Sequence, residues 1–346
     1  MGNDEYLRIL TVAIEKNNAI DSNFQVIYLT MRIKKKILIL GNGTTGVELS
    51  NYCINHPDIE LLGIRLEPND SGKNGWQKSL LKWCREMNVK IYQVEKLHNA
   101  DFVQEVSKLK PDFVFSFQCR AIIPRSIIDI PKHGVINIHF SSLPKYRGCY
   151  PIAWALLNGE QEIGVTVHYI DAGIDTGDII YQEHIPILPE DNAKTCFEKI
   201  SRLGIKIFQD KLDEILALKN KRIKQSGKDA IYYSKDSLDF SKNFVNWNQD
   251  SQQINNFIKA FVFPPLQYPY TRRQKEVFAI IKHQRVVEGY KKEQPGRIVE
   301  LSDNTIRVAA YSGFIDILRV NYQEKDMSVS ELTHSINLKQ GDLLCF

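Results

Sequence analysis

The chain has 346 residues, 43% of them hydrophobic and 25% charged, which fits a soluble globular protein of two domains, or of one domain plus an appendage. Its 45 basic and 41 acidic residues leave a net charge of +4, a balance that gives no strong pull toward nucleic acid or membrane. No run of roughly 18 apolar residues offers a membrane-spanning helix, the first residues lack a signal-peptide pattern, and six cysteines without zinc-like or C-x-x-C spacing read as free thiols in a reducing cytoplasm.

Residues 1–30 stand apart as an extension, with a short amphipathic helix expected over Leu7–Ala19 and a strand over Phe24–Leu29. From Met31 the pattern alternates. Strands are predicted at Ile37–Leu40, Ile59–Arg65, Lys90–Val94, Phe113–Phe117 and Val135–His139. Helices are predicted between them at Thr45–Asn55, Gly75–Met87, Asp101–Leu109 and Pro124–Asp129. A helix at Ala153–Asn158, strands at Thr166–Tyr169 and Ile179–Pro186, and a long helix at Asn192–Lys219 follow. Strands separated by helices predict a doubly wound, mostly parallel α/β sheet, with the last two strands as an antiparallel edge.

The stretch Asn220–Asp229 is polar and basic and reads as a solvated linker. Beyond it come a helix at Gln253–Ala260 and short strands at Val277–Ile281, Gly296–Glu300, Thr305–Ala309 and Phe314–Val320. That regular spacing suggests a small β-barrel of the OB type. The division is therefore an extension over 1–30, an α/β domain over 31–220, a linker over 221–235 and a barrel over 236–346.

Chemistry concentrates at the fifth strand. Residues 133–139 read H-G-V-I-N-I-H. Asn137 and His139 are two apart, so they share one face of that strand. They stand at its carboxyl end, where open α/β sheets hold their ligands. S-L-P-K-Y-R-G follows through Gly148, and D-A-G-I-D-T-G-D then places Asp175 on a Gly-flanked turn. Singly, each piece has a plain structural explanation: a satisfied histidine, an asparagine cap, an aspartate in a turn. Asp171 and Asp178 are read as turn residues of that kind.

The three-part pattern resembles the folate-dependent formyltransferases. Those enzymes move a formyl group from N10-formyltetrahydrofolate to an amine on methionyl-tRNA, glycinamide ribonucleotide or a nucleotide-linked amino sugar. The resemblance implies that Asn137 donates to an oxyanion, that His139 polarises the carbonyl and moves protons, and that Asp175 orients His139 or a water. Phe140 and Ser142 depart from the residues common in relatives at those places. The resemblance also implies that Ala121, Ile122, Ile123 and Pro124 cradle the folate pterin through their backbone. Lys145, Tyr146, Arg147 and Tyr150 stand next to the catalytic strand as candidates for the acceptor's nucleotide, with ordinary surface roles equally open. His168, in alternation with core positions, is read as a supporting residue. No metal is expected.

One rival reading comes from Gly41-Asn42-Gly43-Thr44-Thr45-Gly46, which fits G-x-G-x-x-G between a strand and a helix, with Glu67 after the next strand. This is the dinucleotide fingerprint of an NAD-dependent enzyme, but tight strand-to-helix turns need glycine in any case. The acceptor is expected to be a nucleotide-linked amino-deoxy sugar bound for a surface polysaccharide. The basic insertion typical of the tRNA enzyme is replaced here by the mixed E-P-N-D-S-G-K-N-G-W-Q-K-S of residues 67–79. The phrases around Phe113–Ile123 and Asp239–Trp247 also look closer to the sugar enzymes. Methionyl-tRNA remains the alternative acceptor. A homodimer is expected, and the barrel is left three possible roles: binding nucleic acid, holding the dimer or binding a sugar nucleotide.

Overall fold

The computed structural model describes residues 34–287 and 292–345. The helix and strand expected within residues 1–30 lie outside the described residues.

The first unit runs β1 (Lys35–Gly41), α1 (Gly43–Ile54), β2 (Ile59–Leu66), α2 (Leu80–Glu86), β3 (Ile91–Tyr92), α3 (Ala100–Leu109), β4 (Phe113–Phe117), α4 (Arg125–Ile128) and β5 (Val135–His139). It continues through β6 (Arg147–Gly148), α5 (Pro151–Leu157), β7 (Glu162–Ile170), β8 (Ile179–Pro186) and α6 (Ala193–Leu216). Seven strands form one sheet in the order β3-β2-β1-β4-β5-β7-β8. The first five of these are parallel neighbours, and β7 and β8 run antiparallel, as the sequence predicts.

Strands β1 and β4 are apolar on both faces because helices cover both. Ile37 and Ile39 point into one core and Leu38 and Leu40 into the other. On the first face Phe115 and Phe117 meet Phe208 of α6 edge-on, at 5.1 and 5.0 Å between centroids. The carboxyl ends of β4 and β5 therefore project from a rigid, fully packed layer.

The predicted helix over Gly75–Met87 is shorter than expected, because its first turn is captured by side chains. Asp70 accepts from the Ser79 hydroxyl and the Leu81 N–H, and Asn74 accepts from the Ser79 N–H. Ser79 then caps α2 through the Lys82 N–H. Trp76, released from the helix, packs on Phe263 and Phe197.

The second unit contains β9 (Tyr232–Tyr233), α7 (Ser251–Phe261), β10 (Tyr270–Arg273), β11 (Glu276–Val286), β12 (Ile298–Leu301), β13 (Ile306–Ala309), β14 (Phe314–Tyr322), β15 (Lys325–Met327) and α8 (Val329–Ile336). An antiparallel OB-like sheet orders β10-β11-β14-β13-β12, with β15 on β14. The last described residues bridge its two open edges: Cys345 exchanges hydrogen bonds with Arg272 of β10, and Leu344 donates to Gly296 just before β12. Trp247 is buried here, and its Nε1–H donates to Thr271 at 3.0 Å. Phe261 and Phe263 pack at the junction against Phe240, Phe197 and Trp76. These aromatics are packing groups, not an exposed stacking platform for bases. β9 does not join this sheet; it pairs with β6 of the first unit.

Candidate active site

Register brings the site together. In the antiparallel β5–β7 pair Asn137 stands opposite His168, and His139 opposite Thr166. Directly opposed residues project from the same face, close enough for side chains to meet. The His168 ring is fully buried, its Nδ1–H donates to the Tyr169 carbonyl at 2.8 Å, and its Nε2 lies 3.1 Å from Asn137 Nδ2. A carbonyl can only accept, so Nδ1 carries the proton and Nε2 is the acceptor for the Asn137 amide. Burial lowers the His168 pKa, His139 lowers it further, and the nearby Asp175 carboxylate only partly opposes this. A neutral His168 thus holds the Asn137 NH2 in one orientation, with its second N–H to spare.

His139 is fixed by the loop that follows it. Its Nε2–H donates to the Tyr146 carbonyl at 2.8 Å, so the lone pair of the neutral ring lies on Nδ1. Asp175 Oδ2 is 3.7 Å from that Nδ1, and Asp175 Oδ1 is 3.7 Å from His168 Nε2. Those distances suit charge stabilisation of a protonated His139 and exceed a closed hydrogen bond, which leaves Nδ1 open to a reacting group or a water. The Gly148 N–H donates to Asp175 Oδ2 at 2.8 Å. Asp175 has φ 53°, a left-handed conformation that aspartate tolerates better than most residues.

The loop from Ser141 to Gly148 is held in place polar group by polar group. Thr166 donates to the Ser141 carbonyl at 2.7 Å, Gln182 donates to the Leu143 carbonyl and to Thr166 Oγ1, both at 2.8 Å, and Ser141 donates to the Lys145 carbonyl at 2.8 Å. Tyr146 is buried rather than presented to solvent. Its hydroxyl donates to Glu160 at 2.8 Å, and its ring stacks on Tyr233, which stacks in turn on Trp154. Tyr146 therefore serves this site through its carbonyl. Arg147 is turned to Gln225, to which Nε and Nη2 donate at 3.1 and 2.7 Å. Lys145 pairs with Glu160 at 3.5 Å, and with Tyr146 it lines a surface cavity of ≈ 260 Å³ whose walls do not include Asn137, His139 or Asp175. Tyr150 stays part-exposed, edge-on to Phe240 at 4.9 Å.

At the end of β4 the segment 118–124 is irregular. The backbone N–H groups of Ala121, Ile122 and Ile123 have no partner among the described residues. Ile122 is 78% exposed, while Ile123 is buried and Pro124 opens α4. The Arg120 N–H donates to Glu67, whose carboxylate also takes the fully buried Arg65 at 2.7 Å. Glu67 is thereby used as a brace for this loop. A Cβ on Gly43 would collide with Gln77, and one on Gly41 would press on Leu80 of α2. Gly43 has φ 62°, and its neighbours leave no room for a side chain, so the turn's own geometry accounts for these glycines.

Comparison with known proteins fits this geometry. Residues 35–212 match the family model described as formyl transferase, and residues 238–337 match the formyl transferase C-terminal domain. The chain belongs to the formyl transferase family. It is an enzyme of the transferase class. It is 33% identical to the methionyl-tRNA formyltransferase of Geobacter sulfurreducens over 75% of this chain and 80% of the relative. It is also 33% identical to that of Thermodesulfovibrio yellowstonii over 80% of this chain and 87% of the relative. Among solved structures it is similar to an N-formyltransferase from Helicobacter canadensis in complex with folinic acid and dTDP-3-aminofucose (TM-score 0.66, 27% identity, 82% of this chain and 99% of that one). WlaRD, a sugar 3N-formyltransferase solved with dTDP and 5-N-formyl-THF, is equally similar (TM-score 0.66, 28% identity, 85% of this chain and 99% of that one). Among the described residues no helix is long and apolar enough to cross a membrane.

Proposed function

We propose that this formyltransferase takes its formyl group from N10-formyltetrahydrofolate and delivers it to the amino group of a nucleotide-linked amino-deoxy sugar, a precursor of surface polysaccharide. The acceptor nitrogen attacks the formyl carbon. The carbonyl oxygen becomes an oxyanion, which the free N–H of Asn137 meets. His139 Nδ1 takes the proton from the attacking amine and returns one to N10 as the C–N10 bond breaks, giving the formamide and tetrahydrofolate. Asp175, anchored by Gly148, stabilises the imidazolium between those two steps. The N–H groups of Ala121–Ile123 and the exposed Ile122 suit a flat heteroaromatic ring with acceptors on its edge, which is the chemistry of the pterin.

The observation that carries the choice of acceptor is the charge of residues 67–79. Glu67 is spent on Arg65, Asp70 on Ser79 and Leu81, and Lys78 on Glu48. That leaves Lys73, exposed and without an ion pair among the described residues, as the stretch's one uncommitted cation, far short of the cationic surface that a folded RNA needs. The similarity to two sugar enzymes along nearly their whole length supports the same choice. Methionyl-tRNA formylation is the second reading, favoured by the names of relatives at 33% identity. A single-pot competition decides between them, with 10-formyltetrahydrofolate, dTDP-linked amino sugars and charged initiator tRNA. A mass gain on the sugar nucleotide supports the first reading; formylation confined to the tRNA overturns it.

A further inference from the structure

The polar segment between the two units is more than a tether. Of residues 221–230, Gln225 alone is not exposed. Its Oε1 accepts from Arg147 Nε and Nη2, and its Nε2 donates to the carbonyls of Asp175 and Gly177, each at 2.8 Å. A guanidinium only donates and a carbonyl only accepts, so the amide fits this socket in one orientation. Among the residues it grips, Asp175 carries a left-handed backbone, at φ 53°, which few side chains adopt unless their surroundings hold it.

The rest of the segment closes on the same place. Ile223 and Ile179 exchange backbone hydrogen bonds at 2.8 and 2.9 Å. Ile231 N–H donates to Pro144, Arg147 N–H to Ile231, and Cys149 N–H to Tyr233. Gly148, whose N–H holds the Asp175 carboxylate, lies so close to this strand that a Cβ there would collide with the Tyr233 carbonyl.

We propose that Gln225 is a positioning residue for formyl transfer: by holding the Asp175 and Gly177 carbonyls against Arg147 it sets the pose of the Asp175 carboxylate toward His139, so the connecting segment is part of the catalytic frame. This rests on the reading of Asp175 as the partner of His139.

The test uses the full chain, 10-formyltetrahydrofolate and whichever acceptor the wild type formylates, a dTDP-linked amino sugar or methionyl-tRNA. Gln225→Ala, Gln225→Glu, Asp175→Asn and the exposed control Lys228→Ala are compared. Gln225→Glu can still accept from Arg147 but has no N–H for the two carbonyls. Both Gln225 variants are expected to lose about 10–100-fold in kcat, the effect of a misplaced group, with both KM values within about threefold of wild type. The pH profile of kcat is expected to shift, because the His139–Asp175 spacing has changed. Wild-type kcat and pH profile in Gln225→Glu, alongside an inactive Asp175→Asn, overturn the inference and leave the role of Asp175 standing. A loss of kcat that only follows a lower melting temperature, with the pH profile unmoved, overturns it as well. Full turnover in Asp175→Asn overturns the reading beneath it.

Discussion

Replacing His168 by Phe isolates the hydrogen bond that aims the Asn137 amide. The phenyl ring fills the space of a side chain with no exposed surface, so the cavity cost of truncation is avoided. Two hydrogen bonds disappear, to Asn137 at 3.1 Å and to the Tyr169 carbonyl at 2.8 Å. Each contributes about 1 kcal/mol net, so stability should fall by about 2 kcal/mol. In catalysis, the amide loses an orientational preference of about 1 kcal/mol, which is about a fivefold loss in kcat. Removing the donor itself, in Asn137→Ala, should cost about 10²–10³. The two losses pass through one group, so they should not multiply. Steady-state kinetics on the two single variants and the double variant, with melting curves beside them, reads this directly. In the Asn137→Ala background, His168→Phe should leave kcat unchanged while still lowering the melting temperature. If it slows the Asn137→Ala enzyme by the same factor as the wild type, His168 does not act through Asn137.

Further outcomes follow from the same structure. His139→Ala and Asp175→Ala should each abolish transfer with the far-ultraviolet spectrum unchanged; near wild-type turnover in either contradicts the assigned roles. Burial lowers the pKa of His168 and of His283 below the ordinary 6.5, to about 4 for His283. The unfolded chain therefore binds more protons than the native state as pH falls through about 6.5, and stability should decline from there toward pH 4. Melting curves between pH 7.5 and 4.5 check this, and His283→Gln should flatten part of the slope. Gly296 has φ 86°, and a Cβ there would collide with the Leu344 carbonyl. Gly296→Ala should cost at least about 2 kcal/mol by prising the chain end from the barrel, which chemical denaturation will measure.

Much of the fold was legible because its signals are local. β4, β5 and β8 are apolar or alternating runs with sharp ends, and their bounds match those predicted. The Gly75–Met87 helix was over-extended because the competition from Asp70 and Asn74 is a matter of side-chain reach rather than propensity. β10, β15, α8 and the β6–β9 pair were missed. The last consists of two residues on each side, too short for any periodicity to register. At the site, Asn137 and His139 share a face by simple alternation, and Asp175 announced itself by its glycines. The use of Tyr146 through its carbonyl, the turn of Arg147 toward Gln225, and the opposition of His168 to Asn137 depend on long-range register. No spacing within one segment encodes that. A polar, charged stretch such as 221–230 looks solvated in sequence whether or not one glutamine in it is spoken for.

The central claim is that Asn137, His139 and Asp175 carry a formyl group from the folate to an amino sugar. The measurement that tests it most directly follows a 13C-formyl label from 10-formyltetrahydrofolate by mass spectrometry of a dTDP-linked amino sugar, with wild type and His139→Ala side by side. The account predicts one labelled formyl per sugar, matched by tetrahydrofolate released, with the wild type and no transfer above background with the variant. Label that stays on the folate with the wild type, or transfer that proceeds equally in His139→Ala, would contradict it.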